Sequence, residues 1–321
     1  MKIKIILLLF VALLFISCGD NSSNDAIENN TTIEDNVTVI VVEPFLFKTG
    51  QTESYYGSDD GYYHYGASRE YVKVNSTVEE KTKGLIWQDD SAVSEKTFTR
   101  DEAYNYCLSL TIDGNSDWRL PTLQEQFALI NYSSSSPALD SSFESTVDRY
   151  YWSSTICAVC AGLSFATSEK TGIFQRWDNS NEFQARCVSG DTTLEGSYNR
   201  DSSAEVVLDS NRKLMWQDGS SLEMQKQRNF EESILYCESL DLSGYTDWRL
   251  PSIIELRSIY DFTGTSSALN LNFVEVDGEY WSSTTSAEDT SKAWSADFYK
   301  ALSNTRNKTN NIYTRCVRAV E

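Results

Sequence analysis

Four patterns in this 321-residue chain carry residue types that could do chemistry. The first is Cys157-Ala158-Val159-Cys160, two thiols three positions apart. Such a pair can work as a redox dithiol, supply half of a zinc site, or close a turn as a local disulfide. Thioredoxin-like chemistry needs the pair at a helix N-terminus after a strand, and zinc needs two further ligands. Here the pair follows Ser153-Ser154-Thr155, and the chain has one histidine, His64, which lies among Tyr55, Tyr56, Tyr62, Tyr63 and Tyr65. A local disulfide is the favoured expectation. The single histidine is the second pattern, and by itself it removes the commonest Ser/His/Asp and Cys/His hydrolase designs. The third is the store of carboxylates. Lys and Arg number 27 against 47 Asp and Glu, a net charge of −20, and at that excess most carboxylates belong to a solvated surface and not to paired glycosidase acids. The fourth is Asp117-Trp118-Arg119, in which an acid and a base flank a tryptophan; it reads most economically as a turn clamp. No catalytic residue and no metal site is assigned.

The elements that must position these groups come from a repeat. Asp117-Trp118-Arg119-Leu120-Pro121 returns as Asp247-Trp248-Arg249-Leu250-Pro251, 130 positions later (247 − 117). Trp87 and Trp216, Cys107 and Cys237, Trp152 and Trp281, and Cys187 and Cys316 keep an offset of 129 or 130, so the two copies are expected to share one fold. Each copy opens on strand-like runs, Tyr71-Val72-Lys73-Val74 and Gly84-Leu85-Ile86-Trp87 in the first, Ala204-Glu205-Val206-Val207-Leu208 and Lys213-Leu214-Met215-Trp216 in the second. A helix follows, with Thr99 and Glu102 or Asn229 and Glu232 forming a capping box. Gly114 and Gly244 close the turns behind it. The pentapeptide then leads into a second helix capped by Thr122 with Glu125, or Ser252 with Glu255. Strand-rich halves built on Tyr151-Trp152-Ser153-Ser154-Thr155 and Tyr280-Trp281-Ser282-Ser283-Thr284 complete the copies.

The N-terminus carries an address. Lys2 and Lys4 precede an apolar run from Ile5 to Ile16, which is short for a membrane span and reads as a signal peptide. Phe15-Ile16-Ser17-Cys18 resembles a bacterial lipobox, with Phe15 where leucine is usual, so residues 1–17 are expected to be removed and Cys18 lipidated, giving an anchor to the membrane that does not span it. Loss of Lys2 and Lys4 takes the net charge from −20 to −22. Such acidity argues against nucleic acid or an anionic polysaccharide as a bulk partner. Residues 18–44 are polar and expected to be a tether, with Val39 to Val42 as its one strand-like stretch. The tyrosine patch after it could stack carbohydrate, and strand and turn packing is the favoured reading.

Seven cysteines less Cys18 leave six, an even number in an exported chain. Pairing within each copy gives Cys107 with Cys187 and Cys237 with Cys316; pairing across copies is the alternative. Cys157 and Cys160 occur only in the first copy, where the second has Ser286 and Asp289.

The Lys48-Thr49-Gly50-Gln51-Thr52 lead-in, Gly84 to Gln88, Asp117 to Thr122, Tyr151 to Thr155 and Arg186-Cys187-Val188 together resemble the Lcl C-terminal domain, named after the Legionella collagen-like adhesin. The second copy repeats all but the lead-in. The resemblance covers residues 45 to 321, as one copy at 45–190 and another at 191–321. The order of parts is similar to the C-type-lectin-like fold, giving an α+β chain of two tandem domains, each with two helices, an antiparallel sheet and a disulfide from first helix to last strand. By that resemblance the chain is a non-catalytic, lipid-anchored binding or adhesion protein of the bacterial cell envelope, on the periplasmic or surface face of the outer membrane. Its ligand would be a glycan or a surface protein. The alternatives are an enzyme similar to the formylglycine-generating group or a redox protein, either using Cys157 and Cys160, and a structural envelope component. Ligand contacts are expected in the segments that differ between copies, 131–149, 156–184, 261–279 and 285–311. Trp177, Asp178 and Asn179, with Trp294 and Asp297 as the nearest echo in the second copy, are the candidate ligand surface. They only loosely match a calcium-dependent sugar site, so calcium is not expected as a resident cofactor.

Overall fold

The computed structural model describes residues 46–136, 138–158, 160–191, 195–263, 268–274 and 278–320. The apolar N-terminal run, Cys18, the tether and Val39 to Val42 lie outside the described residues. The described residues form one compact unit.

The chain is α+β. A lead-in carries the short helix α1 (Asp60–Tyr63). The first copy follows as β1 (Tyr71–Val74), β2 (Thr77–Glu80), β3 (Leu85–Gln88), α2 (Ala92–Glu95), α3 (Arg100–Ser109), α4 (Leu123–Leu129), β4 (Tyr150–Ile156), β5 (Leu163–Ser168), β6 (Phe174–Asp178) and β7 (Val188–Ser189). The second is β8 (Tyr198–Asp201), β9 (Val206–Asp209), β10 (Leu214–Gln217), α5 (Phe230–Glu238), α6 (Ile253–Ser258), β11 (Glu279–Thr285), β12 (Lys292–Asp297), β13 (Leu302–Asn307) and β14 (Val317–Ala319). Each copy has two antiparallel sheets where the sequence suggested one. A four-stranded sheet orders as β1-β2-β3-β7, or β14-β10-β9-β8, and a three-stranded sheet as β4-β5-β6, or β11-β12-β13.

The capping boxes form as the sequence predicts. Glu102 and Glu125 reach back to the backbone N–H of Thr99 and Thr122 at 2.9 and 2.8 Å, and Glu232 and Glu255 to Asn229 and Ser252 at 3.1 and 2.8 Å. The repeated Ser-Ser-Thr explains itself as a bulge. Pairing of β4 with β5 shifts between Trp152 and Ile156, and of β11 with β12 between Trp281 and Thr285. The displaced groups turn to the pentapeptide: Ser154 N–H donates to Pro121 O and Ser283 N–H to Pro251 O, both at 2.7 Å. The hydroxyls of Thr155 and Thr284 accept from the first N–H of α4 and of α6 at 3.0 Å. These freed groups seat the helix after the pentapeptide, while Ser154 O takes Arg100 and the Thr285 backbone takes Gln51.

Four tryptophans fill the two repeat cores. Trp118, Trp152, Trp248 and Trp281 are at most 2% exposed. Each indole N–H still reaches a carbonyl, that of Asn115, Phe98, Tyr245 and Arg228 respectively, at 2.9–3.0 Å. Disulfides Cys107–Cys187 and Cys237–Cys316 tie α3 and α5 to the segments entering the last strand of each copy.

Two further clusters belong to neither copy alone. Phe127, Phe165 and Phe174 of the first copy pack with Leu256, Tyr260 and Phe298 of the second, and Ile130 and Tyr132 with Ile253, Ile254 and Trp294. Arg257 is wholly buried there. It donates to the Tyr132 hydroxyl, to Gly172 O at 3.1 Å and to Ser303 Oγ at 3.0 Å, with its guanidinium 4.6 Å from the Phe127 ring centre. The copies thus share core and are not beads on a string.

Candidate functional site

The pentapeptide is a clamp in both copies. Arg119 makes a bidentate pair with the capping carboxylate Glu125 at 2.8 and 2.6 Å, and Arg249 does the same with Glu255 at 2.7 and 2.5 Å. Asp117 accepts from Ser189 Oγ at 2.6 Å, and Asp247 pairs with Arg318. These groups hold the turn before the second helix and leave nothing reactive.

Around this shared clamp the copies differ. The lead-in precedes the first copy, yet much of it lies on the second. Its ends are closed by Lys48 N–H to Ala67 O and Ala67 N–H to Leu46 O. Gln51 makes a paired amide contact with Thr285, donating to its carbonyl at 2.9 Å and accepting from its N–H at 3.0 Å. Asp60 accepts from the Thr284 hydroxyl at 2.7 Å. Tyr56 and Tyr63 donate to Glu231 and Glu238 at 2.8 and 2.7 Å, and the Tyr65 ring lies 3.8 Å from the Arg249 guanidinium. The tyrosine patch is therefore turn packing, as the sequence favours, with one helical turn in it. Gly61 is required, since a Cβ there would lie 1.9 Å from Glu53 O.

Asp60 is buried, and burial pushes its carboxyl up from 3.8 to about 6 despite the hydroxyls of Thr49 and Thr284 and the nearby Arg249. A carboxyl raised on docking favours the docked state when protonated. The stability it gives is full below about pH 4 and falls as the pH rises through about 6, by about 2–3 kcal/mol. Hydrogen exchange of the Tyr62 and His64 amides, corrected for intrinsic rates, should therefore show a more firmly held lead-in at pH 5 than at pH 7.5. In an Asp60→Asn chain that difference should largely vanish; an unchanged pH profile would place the titrating group elsewhere.

Between the copies lies a cleft of about 470 Å³. Its floor is apolar and aromatic, from Phe127, Ile254, Tyr260 and Phe262; Lys83, Glu195 and Asp261 stand at its rim, and the buried Glu125 and Arg212 lie in its wall. Lys83 and Arg212 are counterparts (212 − 83 = 129), so both copies aim a cation at one cleft. The Lys83 ammonium sits 4.4 Å from the Phe47 ring centre, and burial lowers it to about 8. Arg212 bonds to Asp209 and to the Tyr198 hydroxyl at 2.9 and 2.8 Å. An apolar floor with few convergent polar groups is the ordinary form of a ligand site.

The residues singled out from sequence fall in different surroundings. Trp177 packs on Tyr150 and Phe183, with ring centres 5.0 and 5.3 Å away. Asp178 is exposed and accepts from the Ser180 N–H and hydroxyl at 2.9 and 2.7 Å, which holds its carboxyl below the usual range. Asn179 O accepts from Arg100 N–H. Trp294 is buried between Tyr132 and Arg257, and its counterpart is Phe165 (294 − 129), not Trp177. Asp297 is 6% exposed at the end of β12, paired with Lys300. The structure does not gather the five into one surface. Of the divergent segments, 261–279 supplies Asp261, Phe262, Thr263 and Asn270 to the cleft, while most of the remaining lining comes from repeated scaffold. Among the described residues no three His, Cys, Asp or Glu side chains converge as a metal site requires.

Cys157 and Cys160 form a disulfide across the turn from β4 to β5, where Cys157 N–H donates to Leu163 O and Leu163 N–H to Cys160 O. In the second copy Ser286 N–H makes the same bond to Lys292 O, and Asp289 holds the turn by accepting from Ser291 and pairing with Lys292. The turn is closed by the same backbone bond with and without the sulfurs. Replacing both cysteines by serine should cost about 1–2 kcal/mol in a denaturant melt, the loop-closure value for so short a ring. A loss several times larger would show that the sulfurs do more than close the turn.

A family model for the Lcl C-terminal domain matches residues 76–189 and again residues 205–318. No curated protein matches the chain. The two matched stretches begin and end on the four-stranded sheets just described, and the chain belongs to the Lcl C-terminal domain family, of which it carries two tandem copies.

Proposed function

We propose that this chain is a non-catalytic binding or adhesion protein of the bacterial cell envelope, tethered by a lipid on Cys18 and presenting two fused C-type-lectin-like domains. The observation that carries the reading is the junction cleft: an aromatic floor of Tyr260 and Phe262 under a rim of opposite charges, held rigid by core shared between the copies. Three disulfides support an oxidising compartment, and among the described residues no helix is long and apolar enough to cross a membrane. The ligand is a glycan or a surface protein, and aromatic faces beside charged groups suit either.

The test is a glycan array probed with the full mature chain, with and without calcium, beside a Phe262→Ala chain. Binding lost on removing Phe262 supports the cleft as the site, and dependence on calcium would move the site towards Asp178. Silence on every glycan, together with no binding to intact envelopes, overturns the reading. Detergent-phase partition of wild-type and Cys18→Ser chains tests the anchor separately.

A further inference from the structure

The lead-in covers one face of the second copy, and among the described residues no such segment covers the matching face of the first. Three counterpart pairs show the contrast. Thr285 is fully buried by Gln51, while its counterpart Ile156 (285 − 129) is 54% exposed. Ile234 is 1% exposed, and Tyr104 (234 − 130) 41%. The Arg249 side chain is 3% exposed beneath Tyr65, and that of Arg119 is 30% exposed. The Thr284 hydroxyl accepts from the α6 N–H and donates to Asp60. Thr155 accepts in the same way from α4, and among the described residues nothing takes its proton. The bare groups are contiguous, because Arg100 bridges from the Tyr104 ring, 5.4 Å away, to Ser154 O at 2.9 Å.

The same fold therefore displays, within one chain, a filled and an unfilled version of a single docking face. The filled version states what the face recognises. A primary amide side chain pairs with both backbone groups at the end of the bulged strand, a carboxyl takes the threonine proton, and an aromatic ring lies on the clamp arginine. We propose that the bare face of the first copy docks a segment of a separate polypeptide built on the lead-in's pattern: a glutamine or asparagine, an acidic residue, and a tyrosine following it. The inference extends the reading of the chain as a binding protein by giving its partner a chemical class. Exposed Ile156 and Tyr104 leave aliphatic and aromatic surface at the edge of this face, which suits a partner that arrives in trans.

The test uses the full mature chain and a labelled peptide of residues 47–67, read by fluorescence anisotropy. The peptide should bind, Gln51→Ala in the peptide should weaken it by about ten-fold for two lost hydrogen bonds, and Ile156→Arg in the protein should abolish it. Absence of binding overturns the proposal. So does binding that survives Ile156→Arg, since the peptide would then be exchanging with the lead-in on the second copy. Self-association of the full chain that Ile156→Arg abolishes would make a second copy the occupant, and also overturns it. Thr155 lines the cleft as well as this face but Ile156 does not, so glycan binding retained in the Ile156→Arg chain keeps failure of this inference distinct from failure of the functional reading.

Discussion

Replacing Arg186 with alanine is expected to lower the unfolding free energy by about 3–5 kcal/mol, the cost of leaving buried carboxylates without their counter-charge. Arg186 is 1% exposed and spends all five N–H donors: on Glu169 at 2.8 and 2.9 Å, on Asp89 and Gln88 O at 2.9 and 2.8 Å, and on Ser145 O at 2.7 Å. It therefore joins the end of β3, the loop before β4 and the turn after β5 to the segment carrying Cys187. Removing it strands Glu169, itself 4% exposed, and leaves Asp89 to Lys73. The second copy supplies an internal control. Arg315 meets Asp218 at 2.6 Å, but the counterpart of Glu169 is Phe298 (169 + 129), and Asp218 keeps Arg200 at 2.6 Å. Arg315→Ala should therefore cost less than Arg186→Ala. In equilibrium denaturation followed by circular dichroism, Arg186→Met with Glu169→Leu should recover part of the loss. Equal losses in Arg186→Ala and Arg315→Ala would show that packing, and not stranded charge, sets the cost.

Removing the Cys107–Cys187 disulfide as a double alanine substitution should cost about 4 kcal/mol in the chain-entropy account. The bond closes a loop with a sequence separation of 80, and both sulfurs are fully buried beside Trp118 and Trp152. Cys237–Cys316, with a separation of 79, should behave alike. Because the copies share core, unfolding of the weakened first copy should expose Tyr260 and Phe298 of the second and destabilise it as well. A denaturant melt read at both near- and far-ultraviolet wavelengths checks this. A loss near 1 kcal/mol, or a second copy that melts at its unchanged midpoint, would contradict it.

Much of each copy was legible in the sequence because the signals are local. A capping box needs two side chains three residues apart, and all four expected boxes form. The pairings within copies follow from repeat-equivalent positions and are the ones observed. Reading one sheet where there are two was a limit of the same method. The bulge at Ser153-Ser154-Thr155 is visible only once Pro121 and Leu123 are seen to claim the displaced groups. The cleft left one faint trace, two cations at matching offsets in Lys83 and Arg212, which composition alone does not distinguish from solvated surface charge.

By itself, the sequence determined the duplication and the helix starts, and it favoured disulfides within each copy and a clamp at Asp-Trp-Arg-Leu-Pro, because each depends on neighbours in the chain or on a repeated position. Only the tertiary structure decided that Arg257 is buried across the junction, that the copies share core, and that the lead-in passes its own copy to cover the next. Those outcomes depend on apolar area and hydrogen bonds between residues up to 234 positions apart, as with Gln51 and Thr285. No periodicity marks such a pair, and its stability comes from surfaces that exist only after both copies have folded.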